Sequence, residues 1–201
     1  MDHGTLIEQA AHSIIANSGT KPPAPEIVTA LLQSEKTAKQ NKVNYQFNQF
    51  LGKWRLCFIT GTKKTRQRAG IIMGAGRYLP PFVKINLSYS QESLTPDTPE
   101  NEGGKMENSV QVGLMKMKVY GPAKFLPKKN ILAFDFTRMT IEVLGVKVYQ
   151  GFIRGGEKSE RNFYQKRVAN QAFFAYFFVN NSAIAARGRG GGLALWGRDS
   201  S

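Results

Sequence analysis

The chain is poor in the residues that build disulfides, metal centres and nucleophile pairs. Its 201 residues include one cysteine, Cys57, which excludes an internal disulfide and fits a reducing compartment. The histidines are His3 and His12, both near the start. A zinc site or a Cys/His pair has little material to draw on. Long apolar runs are also missing. Without a stretch of about 18 or more such residues, no helix can be read as spanning a bilayer. The opening Met1-Asp2-His3-Gly4 lacks the basic and apolar regions of a secretory signal. The expectation is a soluble or peripheral protein acting on the side of a membrane where it is made.

Negative charge is the other shortage. There are 14 acidic residues against 28 lysines and arginines, a net charge of +14. From Lys36 to Gln91 there is no Asp or Glu, while Lys53, Arg55, Lys63, Lys64, Arg66, Arg68, Arg77 and Lys84 all occur. Acids gather instead at Glu92, Asp97, Glu100, Glu102 and Glu107. Such asymmetry suits an anionic partner, whether nucleic acid or an acidic lipid surface, or it forms a solvated face that keeps the protein soluble.

Two segments carry a helical period. Leu6, Ile7, Ala10, Ala11, Ile14 and Ile15 repeat at helical spacing up to Asn17-Ser18-Gly19, and Ile27, Val28, Leu31 and Leu32 do so after the Lys21-to-Pro25 breaker. From Phe50 onward the period becomes two. Trp54, Leu56 and Phe58 share one face, as do Val83, Ile85, Leu87 and Tyr89. Val110, Val112 and Leu114 follow, then Met115, Met117 and Val119 opposite Lys116 and Lys118. Leu132, Phe134 and Phe136 alternate with polar or small residues, and Ile141, Val143, Val146 and Val148 continue past an expected bulge at Gly145. Phe173 to Val179 is apolar on both faces, as in a strand covered on both sides. Turns are expected at Gly61-Thr62, Leu79-Pro80-Pro81, Gly121-Pro122, Leu126-Pro127 and Gly155-Gly156. Gln91 to Asn108 reads as a long polar loop. The expected fold is mainly β, an antiparallel barrel preceded by two α-helices, with a helical segment at 1–45 and a barrel domain at 46–201.

The segment Arg187 to Gly192 reads in two ways, as an Arg-Gly tract for RNA or as the tight turn between two strands. A single copy bracketed by Phe177-Phe178-Val179 and Leu193-Ala194-Leu195-Trp196 favours the turn. "LGKWRLCFITG", Leu51 to Gly61, opens the β region. Gly52 there permits a tight entry, and Trp54 would close one end of the barrel under an arginine from the last strand, stacked on the indole.

These two segments carry a resemblance. Leu51, Gly52, Trp54, Leu56, Phe58 and Thr60 resemble the opening motif of the plastid-lipid-associated protein, or fibrillin, family. Ile184, Arg187, Gly188, Gly191, Leu193 and Leu195 are similar to that family's closing hairpin. Arg189, Ala186 and the Phe58-Ile59 pair depart from the family pattern. The resemblance implies a lipocalin-like barrel that binds or organises carotenoids, prenylquinones or other lipids at the cytoplasmic or stromal side of thylakoid membranes, with photosynthetic protein complexes as further partners. It implies no metal, no required cofactor and no catalytic residue. Gly52, Trp54 and Arg187 are then the barrel-closing residues.

The residues that would line an apolar site, or simply pack a core, are Leu56, Phe58, Ile85, Leu87, Val112, Leu114, Phe134, Phe136 and Phe177. Met73, Met115, Met117 and Met139 either make a pliable mouth or fill gaps. Lys63, Lys64, Arg66 and Arg68 are candidates for anionic membrane contact, each contributing about 1 kcal/mol near such a surface. Ile71, Ile72 and Met73 either dip into the interface or start the next strand. Two other classes stay open. One is a bilin lyase of lipocalin-like fold, for which Asp135 and Glu142, expected to face outward, offer no acid/base pair. The other is a basic RNA-binding protein, which lacks the interleaved aromatic platform of single-strand binders.

Overall fold

A computed structural model of the protein describes residues 2–61, 76–91 and 103–199. Lys63, Lys64, Arg66, Arg68, Ile71, Ile72 and Met73 lie outside the described residues, as does most of the acidic segment.

Helix α1 (His3–Ile15) buries Ile7, Ala10, Ala11 and Ile14, and α2 (Ala24–Gln40), with Pro25 in its first turn, buries Ile27, Ala30 and Leu31. Each stripe follows the helical period, and both face the outside of the sheet rather than solvent. A 3-10 turn, Phe47–Phe50, then leads into the strands. No helix among the described residues is long and apolar enough to cross a membrane.

The strands are β1 (Gly52–Ile59), β2 (Arg77–Tyr78), β3 (Val83–Ser90), β4 (Gly103–Val112), β5 (Met115–Leu126), β6 (Ile131–Phe134), β7 (Arg138–Val143), β8 (Val146–Phe152), β9 (Ala172–Val179), β10 (Ala183–Gly188) and β11 (Leu193–Arg198). Eight of them close into an antiparallel barrel in the order β4-β3-β1-β11-β10-β9-β6-β5, with β5 returning to β4. The short helix α3 (Gly156–Arg161) connects β8 to the region before β9. Gly103, Gly104, Glu107 and Asn108, expected in a loop, belong to β4.

Strand β5 belongs to two structures at once. Its second part, Ala123 to Leu126, pairs with β6 inside the barrel, while Met115 to Tyr120 pairs with β7, which pairs in turn with β8. Between them lie Gly121 and Pro122, where a turn was expected. The strand passes straight through, and the pair marks the point at which it changes partner. A Cβ on Gly121 would lie 2.1 Å from the Asp135 carbonyl oxygen, so only glycine lets the β6–β7 link cross this close. The far parts of β3, β4 and β5, with β7 and β8, therefore form a second sheet projecting from one end of the barrel. Its turns are Gly113-Leu114 and Leu144-Gly145. The expected bulge at Gly145 is a two-residue hairpin turn with positive φ at both positions, 53° and 79°.

Both faces of the β10–β11 side of the barrel are covered. Phe174 and Tyr176 of β9, Ile184 and Ala186 of β10 and Trp196 of β11 pack inside with Trp54 and Leu87. Phe177, Ala183, Ala185, Leu193 and Leu195 pack outside, against α1 and α2. The apolar character of β9 on both faces, legible in the sequence, has this cause.

Candidate functional site

The barrel is plugged at the end where β1 begins. Gly52 has φ 113°, and a Cβ there would lie 2.8 Å from the Arg198 guanidinium. Trp54 is fully buried, and its Nε1 donates to the Phe50 carbonyl at 2.7 Å. Arg198 stacks over the indole with its guanidinium carbon 4.0 Å from the ring centre, and its Nε and Nη1 donate to the Asn181 and Leu51 carbonyls. Behind Trp54, Phe50 lies 4.5 Å from Tyr176 and 5.0 Å from Phe125, centre to centre. Asn130, in the left-handed region at φ 50°, ties this plug to the β5–β6 link: its Oδ1 accepts from Tyr45 N at 3.0 Å and its Nδ2 donates to the Val43 carbonyl.

The expected arginine of the last strand is thus Arg198, while Arg187, expected with Gly52 and Trp54 to close the barrel, is not at this plug. The reason is register. Arg198 lies two residues after Trp196 and shares its inward face, whereas Arg187 on β10 points outward. There Arg187 forms a forked pair with Glu35 of α2, Nε to Oε1 at 2.9 Å and Nη2 to Oε2, and its Nη1 donates to the Gly191 carbonyl at 2.7 Å. The Arg187 guanidinium holds the Glu35 carboxyl below its ordinary pKa. The segment after Arg187 is the expected tight turn, with Gly191 N donating to the Gly188 carbonyl and Gly188 N to the Gly192 carbonyl.

The interior is filled by the protein's own side chains. Tyr89 and Tyr176 meet at its centre, hydroxyl to hydroxyl at 2.5 Å, and burial raises the pKa of both. Both hydroxyls stay protonated at physiological pH. Toward the open end, Phe134 lies 5.1 Å from Phe136 and 5.1 Å from Phe174, and Phe174 lies 5.2 Å from Trp196. Leu56, Phe136 and Phe174 are only partly buried there. They form the mouth.

Of the expected lining residues, Leu56, Leu87, Phe134 and Phe136 meet in the barrel core or at its mouth. Phe58 and Phe177 do not. A bulge between Leu56 and Phe58 in β1 turns the Phe58 ring to the outer face, and alternation from the inward Tyr176 puts Phe177 there too; both pack under the helices. Val112 and Leu114 also depart from the expectation: they stand at the far end of the projecting sheet, 44% and 71% exposed. Ile85 is half-buried on that sheet.

The projecting sheet continues the inner face of the barrel. Cross-strand register aligns Leu87, Asn108, Val119 and Met139 in one row, then Ile85, Val110, Met117 and Ile141, then Val83, Val112, Met115, Val143 and Val146. The opposite face carries Lys84, Gln111, Lys116, Glu142 and Lys147, with Lys118 donating to Glu142 at 2.9 Å. The face that is a core inside the barrel becomes, beyond its mouth, an apolar surface with no strand or helix of the described chain packed over its far rows. Met115, Met117 and Met139, expected at a pliable mouth, all lie on it. Asp135 and Glu142 form no pair: Asp135 accepts from Ser159 Oγ at 2.8 Å beside α3, and Glu142 faces away from the apolar side.

Two further concavities lie on the outside of the molecule, the second against β9. A groove of about 610 Å³ runs between α1 and α2, past His3, Leu6, Pro22 and Pro25. A cleft of about 440 Å³ is lined by Lys39, Lys42, Lys128, Lys129 and Glu35. Among the described residues no cluster of three His, Cys, Asp or Glu could hold a metal ion. Phe174, Tyr176 and Ile141 were read in the sequence only as strand residues and not as part of a site, and the last-strand arginine was not named, although alternation from Trp196 already puts Arg198 on the inward face. Neither the models of known protein families nor the curated proteins include a match to this chain.

Proposed function

We propose that the protein is a non-enzymatic member of the plastid-lipid-associated type that holds small apolar molecules, of the carotenoid, prenylquinone or lipid class, at the cytoplasmic or stromal surface of a photosynthetic membrane. A β-barrel with an aromatic mouth is compatible with binding such molecules. The observation that carries the reading is the apolar surface from Phe136 and Phe174 at the mouth onto Val119, Met139, Met117 and Ile141 of the projecting sheet. A flat polyene or an isoprenoid tail would lie along these rows and bury their area. The filled barrel makes this outer surface, rather than the interior, the binding place. The membrane class and location come from the resemblance. In its support, the two segments that carry it are neighbours in space, β1 pairing with β11 from Trp54–Arg198 to Ile59–Ala194.

The test is organic-solvent extraction of the protein purified from its native host, read by absorbance and mass spectrometry. A carotenoid, quinone or lipid near one per chain is expected. Met117→Lys combined with Ile141→Lys should empty the protein while leaving its melting cooperative. A folded wild-type chain that yields nothing, and takes up neither β-carotene nor a prenylquinone added in detergent, would overturn the reading.

A further inference from the structure

We infer that the turn end of the projecting sheet enters the headgroup layer of an anionic lipid bilayer. The inference rests on the reading that the protein works at a membrane, and it identifies the surface that makes contact. Three chain reversals meet at this end, and each carries a large apolar residue at its tip: Phe82, Leu114 and Leu144, 72%, 71% and 70% exposed. They form one edge. The register places Val83, Val112, Met115, Val143 and Val146 in a single row behind them, and Leu144 N donates to the Leu114 carbonyl at 3.0 Å, which joins two of the turns.

The next row supplies the charge. Lys84, Lys116 and Lys147 stand there with one acid, Glu142, which is already bonded to Lys118 of the row beyond. At a strand rise of about 3.3 Å per residue, the tips reach roughly 7 Å past these lysines. Amphipathic structures that bind at the boundary of headgroups and acyl chains bury their apolar part by about 5 to 10 Å. Apolar tips and the row of valines would then sit below the phosphates, and the ammonium groups at their level. A neutral protein partner would bury the same tips but would leave the lysines without counter-charge. The sheet's apolar face would at the same time open from the bilayer toward the barrel mouth.

Co-sedimentation with vesicles of pure phosphatidylcholine, and of phosphatidylcholine with a minority of phosphatidylglycerol, tests this at low and high salt. Wild type should bind the anionic vesicles far better, and salt should weaken the binding. Lys84→Gln with Lys116→Gln and Lys147→Gln should lower partitioning by roughly a hundredfold at low salt. Leu114→Ser with Leu144→Ser should lower it by about tenfold or more. Four of the five sites are exposed and Lys116 is half-buried, and unchanged melting checks that the variants fold. Equal binding to both vesicle types, or wild-type binding by the variants, overturns the inference. So does a dimer that forms with rising concentration, needs Leu114 and Leu144, and leaves vesicles untouched, since a second copy would then cover this edge. Extraction separates the two readings: a chain that carries an apolar molecule but ignores vesicles sinks only this inference, and an empty chain that binds vesicles through its turns sinks only the holding function.

Discussion

The same three strands behave differently along their length. In the barrel, the inner positions of β3, β4 and β5 are Leu87, Tyr89, Met106, Ala123 and Phe125, all buried. Beyond Gly121, on the same face, stand Met117, Met115 and Val112, 37%, 54% and 44% exposed. Strand chemistry changes little across that boundary. Closure is what changes: in the barrel the opposite wall covers each residue, and in the projecting sheet no wall among the described residues stands opposite. Hydrophobic pattern therefore shows which face is apolar but not whether the protein itself covers it.

Substitutions at matched places sharpen this contrast. The largest effect is expected from Trp54→Ala, about 3 to 5 kcal/mol of lost stability, against roughly 0.5 kcal/mol or less for Met117→Ala on the open face. Urea unfolding of the two variants measures both, and similar losses would dissolve the distinction.

Next comes the tie between α2 and the β10–β11 turn. Arg187→Ala should cost about 1 to 2 kcal/mol, because it leaves the buried Glu35 carboxylate with Lys39 alone and removes the guanidinium donor from the Gly191 carbonyl. The sign of its pH dependence follows from the lowered pKa of Glu35. The pair's stabilisation is fully present above the ordinary carboxylate value and is lost as pH falls through the lower folded value. Glu35→Gln should flatten that acid limb of the melting curve, and an unaltered acid limb would show that the fork adds nothing.

A smaller effect is expected from Tyr89→Phe, about 1 kcal/mol, since the Tyr176 hydroxyl loses its buried partner. Tyr149→Phe, on the exposed edge strand β8, should leave the melting temperature unchanged. The smallest effect concerns Cys57, whose thiol burial pushes its pKa up to about 12. A thiol reagent at neutral pH should label it only as fast as the chain unfolds; rapid labelling of the native protein would mean that the α1 face of the barrel opens readily.

Much of the fold was legible because it rests on local period. Both helices, the inward set of β3 and the doubly covered β9 follow from spacing alone. What escaped was non-local or chemically unmarked. The bulge that sends Phe58 outward depends on how partner strands register, and which face of the doubly apolar β9 points inward is set by its neighbours, neither of which a single strand reveals. Gly-Leu and Leu-Gly turns lack the asparagine or aspartate that usually marks a hairpin, so β4–β5 and β7–β8 each read as one long apolar run. Gly121-Pro122 carried strong turn chemistry and marked a change of strand partner instead. The site was legible as a set of apolar positions and not as a place, because four of the nine lie in the barrel core or at its mouth, two pack under the helices, and three stand on the projecting sheet, whose hairpins were missed.

The pairing of β1 with β11 also sets an order of events during synthesis. Strand β1 emerges early from the ribosome, yet its permanent neighbour is nearly the last strand of the barrel to be made, and the wall on which α1 and α2 rest includes Leu193 and Leu195. Until then one edge of β1 has no partner, and the helices, although Cys57, Phe58 and Phe177 are already made, lack the Leu193 and Leu195 part of their seat. Such long-range closure makes folding slow and leaves apolar segments open to wrong partners. The nascent chain, with part of the helices' seat made only in β11, is therefore an expected client for chaperones that shield apolar segments until the closing strand arrives.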